Sequence, residues 1–220
     1  QNSKNLPAGE GGAVIGNNDE IMDRCPSFHN CGRPFGSVER TSDYPMRGSN
    51  RRMQQIQAIT LLSQMNRIEK DADKRLENAK YLDKKLGDIP GIVPYKLVTQ
   101  QARSAYHMYP FRFISEKFGN VSREKFIDAL EAEGVPCSSG YGQQNKDGLI
   151  EEAFNSKGYK RLFSEKRLKQ WREENVLPGN DQLSREAVTF YQSILLGSKS
   201  DMDDIVNAIT KIYENRESLQ

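Results

Sequence analysis

The chain has 220 residues, 36% of them hydrophobic and 28% charged, and 32 Lys plus Arg against 30 Asp plus Glu leave a net charge of +2. It can build a core as one large domain or two small ones, and its near-balanced charge gives no electrostatic case for nucleic acid or an anionic membrane. No run approaches the ~18 consecutive apolar residues of a membrane span, and no signal-peptide pattern is present. Cys25, Cys31 and Cys137 are an odd count without a tight metal spacing, which points to reduced thiols in a cytoplasmic protein. With only His29 and His107 available, a zinc site would need ligands from scattered positions, and no metal is expected.

In chain order, Lys4 comes first, on a turn before a glycine-rich bend and an apolar stretch, 12–16, that reads as a short strand. Taken alone, Lys4 is an ordinary surface lysine; held out of water, it would suit an imine-forming amine. Asn17, Asn18 or Asp19 caps a helix through 20–25, and Pro26 is expected to end it. Gly32, Pro34, Gly36, Pro45 and Gly48 make 30–50 a long turn-rich excursion. One long helix is expected from Met53 to about Leu86, with Ile56, Ile59, Leu62 and Met65 on an apolar stripe. Its charged run, 69–75, reads as a solvated face; interleaved acids argue against a basic recognition helix.

Beyond Gly91, the aromatic run 106–114 predicts a strand, with Pro110 marking an edge or bulge. A helix starting at Ser122 turns Phe126, Ile127 and Leu130 inward and stops at Gly134. A short strand and turn follow over 135–141, then helices over 165–174 and 183–190, and a strand-like 193–196. The last helix starts at an Asp201 cap with Met202, Ile205, Ile209 and Ile212 on one face. This alternation implies a small α+β domain with helices on one face of a sheet.

Ser3-Lys4-Asn5-Leu6, followed by Gly9-Glu10-Gly11-Gly12-Ala13-Val14, resembles the lysine loop of the DegT/DnrJ/StrS aminotransferases. These are fold-type-I enzymes using pyridoxal 5'-phosphate (PLP), and that loop carries the lysine bonded to the cofactor aldehyde. Pro7 departs from the pattern and stiffens the turn. Gly48-Ser49-Asn50-Arg51-Arg52-Met53-Gln54-Gln55-Ile56-Gln57-Ala58 is similar to a second family segment, Gly-x-Asn-(Tyr/Phe)-Arg-Met-(Ser/Thr)-(Glu/Asp)-x-Gln-Ala, whose Asn reaches across a dimer to the PLP phosphate. Asn50, Arg52, Met53, Gln57 and Ala58 match. Arg51 replaces the aromatic, and Gln54-Gln55 replace the hydroxyl and carboxylate, which is expected to weaken the helix cap. Without those neighbours Asn50 would be read as a turn or cap residue. A weaker likeness at 105–109 and 133–141 makes Tyr141 and Asn145 candidates to face the substrate; the plainer reading is a packed His107 and a turn-forming Tyr141.

The resemblance implies an α/β to α+β fold: the end of a PLP-transferase large domain with an interface loop over 1–52, a long connecting helix over 53–87, and a small carboxyl-terminal domain over 88–220. It implies a cytoplasmic homodimer, Lys4 as catalytic residue, and Lys4 with Asn50 as cofactor ligands. The activity it implies is amino transfer from glutamate or glutamine to a keto sugar nucleotide or cyclitol ketone. Lys4 argues against the family's dehydratase branch, which has histidine there. An aspartate for the pyridine nitrogen, a stacking aromatic and a phosphate-binding glycine turn are expected before Gln1, so the chain is read as the carboxyl-terminal part of a longer protein, inactive alone. The competing expectation is a non-catalytic binding or sensory module that keeps the fold; a nucleic-acid binder is the weakest alternative.

Overall fold

The computed structural model describes residues 1–34, 44–96 and 103–219, in two compact units, Gln1–Lys70 and Asp71–Gln220. Part of the expected 30–50 excursion, 35–43, lies outside the described residues.

In the first unit, residues 1–16 form turns and irregular chain. The strand expected over 12–16 is not formed, and Val14 and Ile15 stand 69% and 91% exposed. A strand needs a neighbour for its backbone N–H and C=O groups, and none of the described residues pairs with this stretch. Helix α1 (Asp19–His29) is capped by Asn18, whose side chain accepts the Ile21 N–H at 3.0 Å. It runs through Pro26 where a stop was expected. Pro26 gives up the bond its own N–H would have made, and the turn continues with Asn30 N–H donating to the Pro26 carbonyl at 3.1 Å.

The single helix expected over 53–86 is two, α2 (Gln55–Met65) and α3 (Ile68–Leu86). They part at Asn66–Arg67, where the Arg67 N–H turns back to the Gln64 carbonyl at 3.0 Å. No residue of α2 is buried, and Ile56, Ile59, Leu62 and Met65 are each more than half exposed. Without a packed face, nothing carries the helix through Asn66, a poor helix former.

The second unit is built on a three-stranded antiparallel sheet of β1 (Ile92–Pro94), β2 (Met108–Phe113) and β3 (Ala187–Tyr191), in that order. Tyr109, Phe111 and Phe113 of β2 are buried, while Met108, Pro110 and Arg112 between them are partly exposed, so one face is the core face. The strand holding Pro110 is central, which differs from the edge position expected. Yet β1 pairs only with 111–113, so at Pro110 one flank of β2 is already open and a missing N–H costs no ladder bond there.

Onto that face pack Leu82 and Leu86 of α3, Phe126 and Leu130 of α4 (Arg123–Ala132), and Met202, Ile205, Ile209 and Ile212 of the last helix, α9 (Lys199–Glu214). Phe126 stacks on Phe113 with ring centroids 4.4 Å apart and meets Phe118 edge-on at 5.5 Å. Ser122 caps α4 as expected, accepting the Lys125 N–H. Helix α9 starts earlier than expected: Ser198 is the cap, and Asp201 is the third helical residue, reaching back to the Ser198 N–H.

The charged stretch of α3 is not simply solvated. Arg75 is buried and donates to the Gln192 side chain from Nε at 3.0 Å, and Asn78 donates to the carbonyls of Leu195 and Gly197 at 2.9 Å each. Tyr109 donates its hydroxyl proton to Asp83 at 2.8 Å, and burial pushes the Asp83 carboxyl above its usual range against the pull of that bond.

Between Tyr141 and β3 lie four short helices, α5 (Gly148–Asn155), α6 (Lys157–Leu162), α7 (Glu165–Glu174) and α8 (Pro178–Glu186). Only α7 matches its expected bounds. The helix expected over 183–190 is the end of α8 followed by β3, because the run Val188, Thr189, Phe190 is buried against β2 on one side and bridged by Ser138 on the other. The strand-like 193–196 is a 3₁₀ turn over Ile194–Leu196, and 135–141 contributes only the Ser138–Thr189 bridge. Trp171 packs edge-on to Phe154 at 4.9 Å, away from the sheet cluster.

Candidate functional site

Lys4 and Asn50 both lie in the first unit. Lys4 is half-buried in the turn that opens the chain, where its own N–H donates to the Gln1 carbonyl at 3.3 Å. Behind this turn the chain lies against α2: Gln57 Nε2 donates to the Glu10 carbonyl at 2.7 Å, and Gln64 Nε2 donates to the Pro7 carbonyl. Leu6, Ala8, Met53, Gln57 and Leu61 are among the walls of a cavity of about 190 Å³ at this contact; Lys4 and Asn50 do not line it.

Asn50 is exposed and sits on a second backbone contact. The end of α1 and the chain before α2 run side by side: Ser49 N–H donates to Phe28 O at 2.9 Å, Cys31 N–H to Ser49 O at 3.1 Å, and Arg51 N–H to His29 O at 2.9 Å. They touch so closely that a Cβ on Gly48 would stand 2.4 Å from the Phe28 carbonyl oxygen, and one on Gly32 (φ 80°) would stand 2.1 Å from that of Met46. This explains in physical terms why the residue two before Asn50 is glycine.

The asparagine amide itself is oriented. Its Oδ1 accepts the Arg52 N–H at 3.3 Å, which turns Nδ2 outward as the donor. Arg52 in turn donates from its guanidinium to Asn30 Oδ1 at 2.7 Å, across the Asn30–Asn50 bridge. Arg51, standing where an aromatic was expected, lies over the Phe28 ring at 6.0 Å. The expected weakening of the α2 cap is partly made good: Gln57 Oε1 accepts the Gln54 N–H at 2.9 Å, as a carboxylate at that position would.

These residues fit PLP in kind. The cofactor presents an aldehyde to be bonded by a primary amine and a phosphate to be met by neutral and cationic donors. The first unit offers Lys4 for one and, for the other, the outward Asn50 amide next to the start of α2, whose first turn holds no acid.

The remaining two candidates lie in the second unit. Tyr141 is 66% exposed. Asn145 has both ends of its amide engaged: Nδ2 donates to the Asn175 carbonyl at 2.9 Å and Oδ1 accepts from Asn180 at 3.1 Å. These bonds tie the 3₁₀ turn at Gln144–Lys146 to the end of α7 and to α8. His107 is half-buried. The sequence reading missed the amide ties from Gln57 and Gln64, although their seven-residue spacing, two helical turns on one face, was there to be read.

A model of the DegT/DnrJ/EryC1/StrS aminotransferase family matches residues 1–189. Among curated proteins, the chain is 31% identical to L-glutamine:2-deoxy-scyllo-inosose aminotransferase of Streptomyces kanamyceticus, over 98% of this chain and 52% of that protein. It is 30% identical to the enzyme of the same name from Micromonospora echinospora, over 100% of this chain and 53% of that one. The chain thus spans about half the length of these relatives. The crystal structure of 3-amino-5-hydroxybenzoic acid synthase superposes with a TM-score of 0.77 at 24% identity, covering 98% of this chain and 53% of that one. A sugar aminotransferase from Micromonospora echinospora superposes at 0.73 with 20% identity, over 94% and 49%. These two likenesses speak to the fold alone.

Proposed function

This chain belongs to the DegT/DnrJ/EryC1/StrS aminotransferase family, and on that footing we propose that it is the lysine-bearing part of a PLP-dependent aminotransferase acting on a cyclitol ketone, with glutamine as amino donor. The observation that supports this most is local: a lysine turn and an outward-facing asparagine amide, each matching its family segment, are both anchored by backbone contacts in one unit. The choice of a cyclitol over a sugar nucleotide, and of glutamine over glutamate, follows the names of the relatives.

When bound, PLP supplies the electron sink that lets a bond at the amine-bearing carbon break. Lys4 Nζ would hold the cofactor aldehyde at rest. Released by the donor's amine, Nζ would take the proton from the amine-bearing carbon as base and deliver it as acid to the carbon that was the cofactor aldehyde. Asn50 Nδ2 would donate to the phosphate, across the interface of a homodimer in this reading, with the Arg52 N–H engaging the other end of the amide. We assign 1–52 to the end of the cofactor-binding domain, 53–87 to the connection and 88–220 to the small domain, with Tyr141 as the exposed residue available to substrate. The contacts of Asn145 give it a bracing role. No helix among the described residues is long and apolar enough to cross a membrane.

The test uses the protein at its full natural length. Incubation with PLP and reduction with borohydride should add the cofactor mass to the peptide holding Lys4, and Lys4→Ala should abolish the adduct. With glutamine and scyllo-inosose-type ketones, an amino-cyclitol should form. A protein that binds ligands but never labels at Lys4 would instead be a non-catalytic module.

A further inference from the structure

Helix α2 poses a physical question: it has no buried residue, yet it stands beside the turn that carries Lys4. Beside the apolar Leu6, Ala8 and Leu61, two polar ties join them. Gln57 and Gln64 lie seven residues apart, on one face of the helix, and each donates its side-chain amide to a main-chain carbonyl of the loop, Glu10 at 2.7 Å and Pro7. The two carbonyls bracket the bend at Gly9, whose φ of 85° brings the loop backbone alongside Gln57. Gln57 also caps the helix through its other amide atom.

Resting on the functional reading above, we infer that Gln57 and Gln64 are positioning residues, a two-point clamp that fixes the lysine loop to α2 and so sets where the Lys4 amine stands. They touch neither the amine nor the aldehyde. They hold the loop at Pro7 and Glu10, three and six residues after the lysine, so a bend that would otherwise swing about Gly9 keeps one shape. Because α2 begins five residues after Asn50, the same helix links this chain's amine to the asparagine that, in the homodimer reading, serves the partner's site.

The chemistry of the ties allows them to be cut without cutting the helix. Gln57→Glu keeps the acceptor that caps α2 and loses the donor to Glu10. Gln64→Met keeps length and helix propensity and loses the donor to Pro7. Gln64→Lys restores a donor of similar reach. Each is made in the full-length protein, and three measurements are taken: circular dichroism, hydrogen exchange of residues 5–12, and the rate of borohydride-trapped labelling of Lys4 by PLP as a function of PLP concentration. One tie is a single hydrogen bond, so its loss should speed exchange in the loop by about threefold to tenfold and lower the saturating labelling rate by a similar factor. The half-saturating PLP concentration should move less than the rate, helicity should be unchanged, and Gln64→Lys should recover most of the rate.

Unchanged exchange of 5–12 in both Gln57→Glu and Gln64→Met would overturn the clamp. So would faster exchange with an unaltered labelling rate, which would make the ties structural only. Absence of any Lys4 adduct in the wild-type protein would bring down the functional reading and this inference together. A wild-type adduct with indifferent variants would bring down the clamp alone.

Discussion

Gly48→Ala puts the largest demand on the smallest change. The added methyl would stand 2.4 Å from the Phe28 carbonyl oxygen, 2.5 Å from the Gly32 nitrogen and 3.0 Å from the Phe28 carbonyl carbon. Ordinary contact starts near 3.4 Å, so the two backbones must part by roughly 1 Å. All three atoms are main chain, and no side-chain rotation can relieve them. Three backbone hydrogen bonds, of 2.9, 3.1 and 2.9 Å, cross this same contact and must stretch or break. Overpacking costs ~1–3 kcal/mol, and each lost backbone bond adds about 1 kcal/mol. A penalty near 3 kcal/mol corresponds to roughly 10²-fold in the opening equilibrium.

Hydrogen exchange read by mass spectrometry reports this directly. The amides of Cys31, Ser49 and Arg51 should lose protection by on the order of 10²-fold, while those of β2 and α9 in the other unit stay as they were. Displacing Asn50 by a similar distance should also weaken PLP binding, which the cofactor's fluorescence measures. Wild-type protection at those three amides in Gly48→Ala would refute the account of how Asn50 is held.

Two further predictions concern the second unit. Burial holds Asp83 above the usual carboxylate range in the folded state, so the folded protein binds more protons than the unfolded one as pH rises through that range. Its contribution is fully present below the unfolded value of ~3.9 and is lost as pH climbs through the folded one. Asp83→Asn, still able to accept the Tyr109 proton, should therefore raise the thermal midpoint at pH 7–8 by roughly 1–3 °C and change little at pH 4; a lower midpoint at both would contradict this. Burial, with Glu131 and Asp128 adding to it, pushes the Cys137 thiol up to about 12, whereas Cys31 is exposed. At pH 8 iodoacetamide should modify Cys31 at least ~10²-fold faster than Cys137, and equal rates would show that Cys137 is not packed as described.

Local chemistry was legible wherever a residue acts through its own neighbours in sequence. The Ser122 cap, a cap for α1 within 17–19, the α7 bounds and the α9 stripe of Met202, Ile205, Ile209 and Ile212 could all be read from spacing, because capping and helical periodicity are set within a few residues. The family likeness at Lys4 and Asn50 was legible only as a resemblance of two short segments to known family motifs. What failed were readings that needed a partner. The apolar stretch 12–16 has strand composition but pairs with none of the described residues, and Val188–Phe190 looked helical until β2 and Ser138 enclosed it. Arg75 looked solvated until Gln192, 117 residues away, accepted its protons.

By itself, then, the amino-acid order determined which side chains could do chemistry and which short segments would coil. Tertiary structure alone decided that Gly48 must lack a side chain and that two glutamines of an unburied helix grip the lysine loop. The physical reason is that close backbone approach and hydrogen-bond direction are properties of pairs of chain segments, fixed only once distant stretches have been brought within a few ångströms of each other.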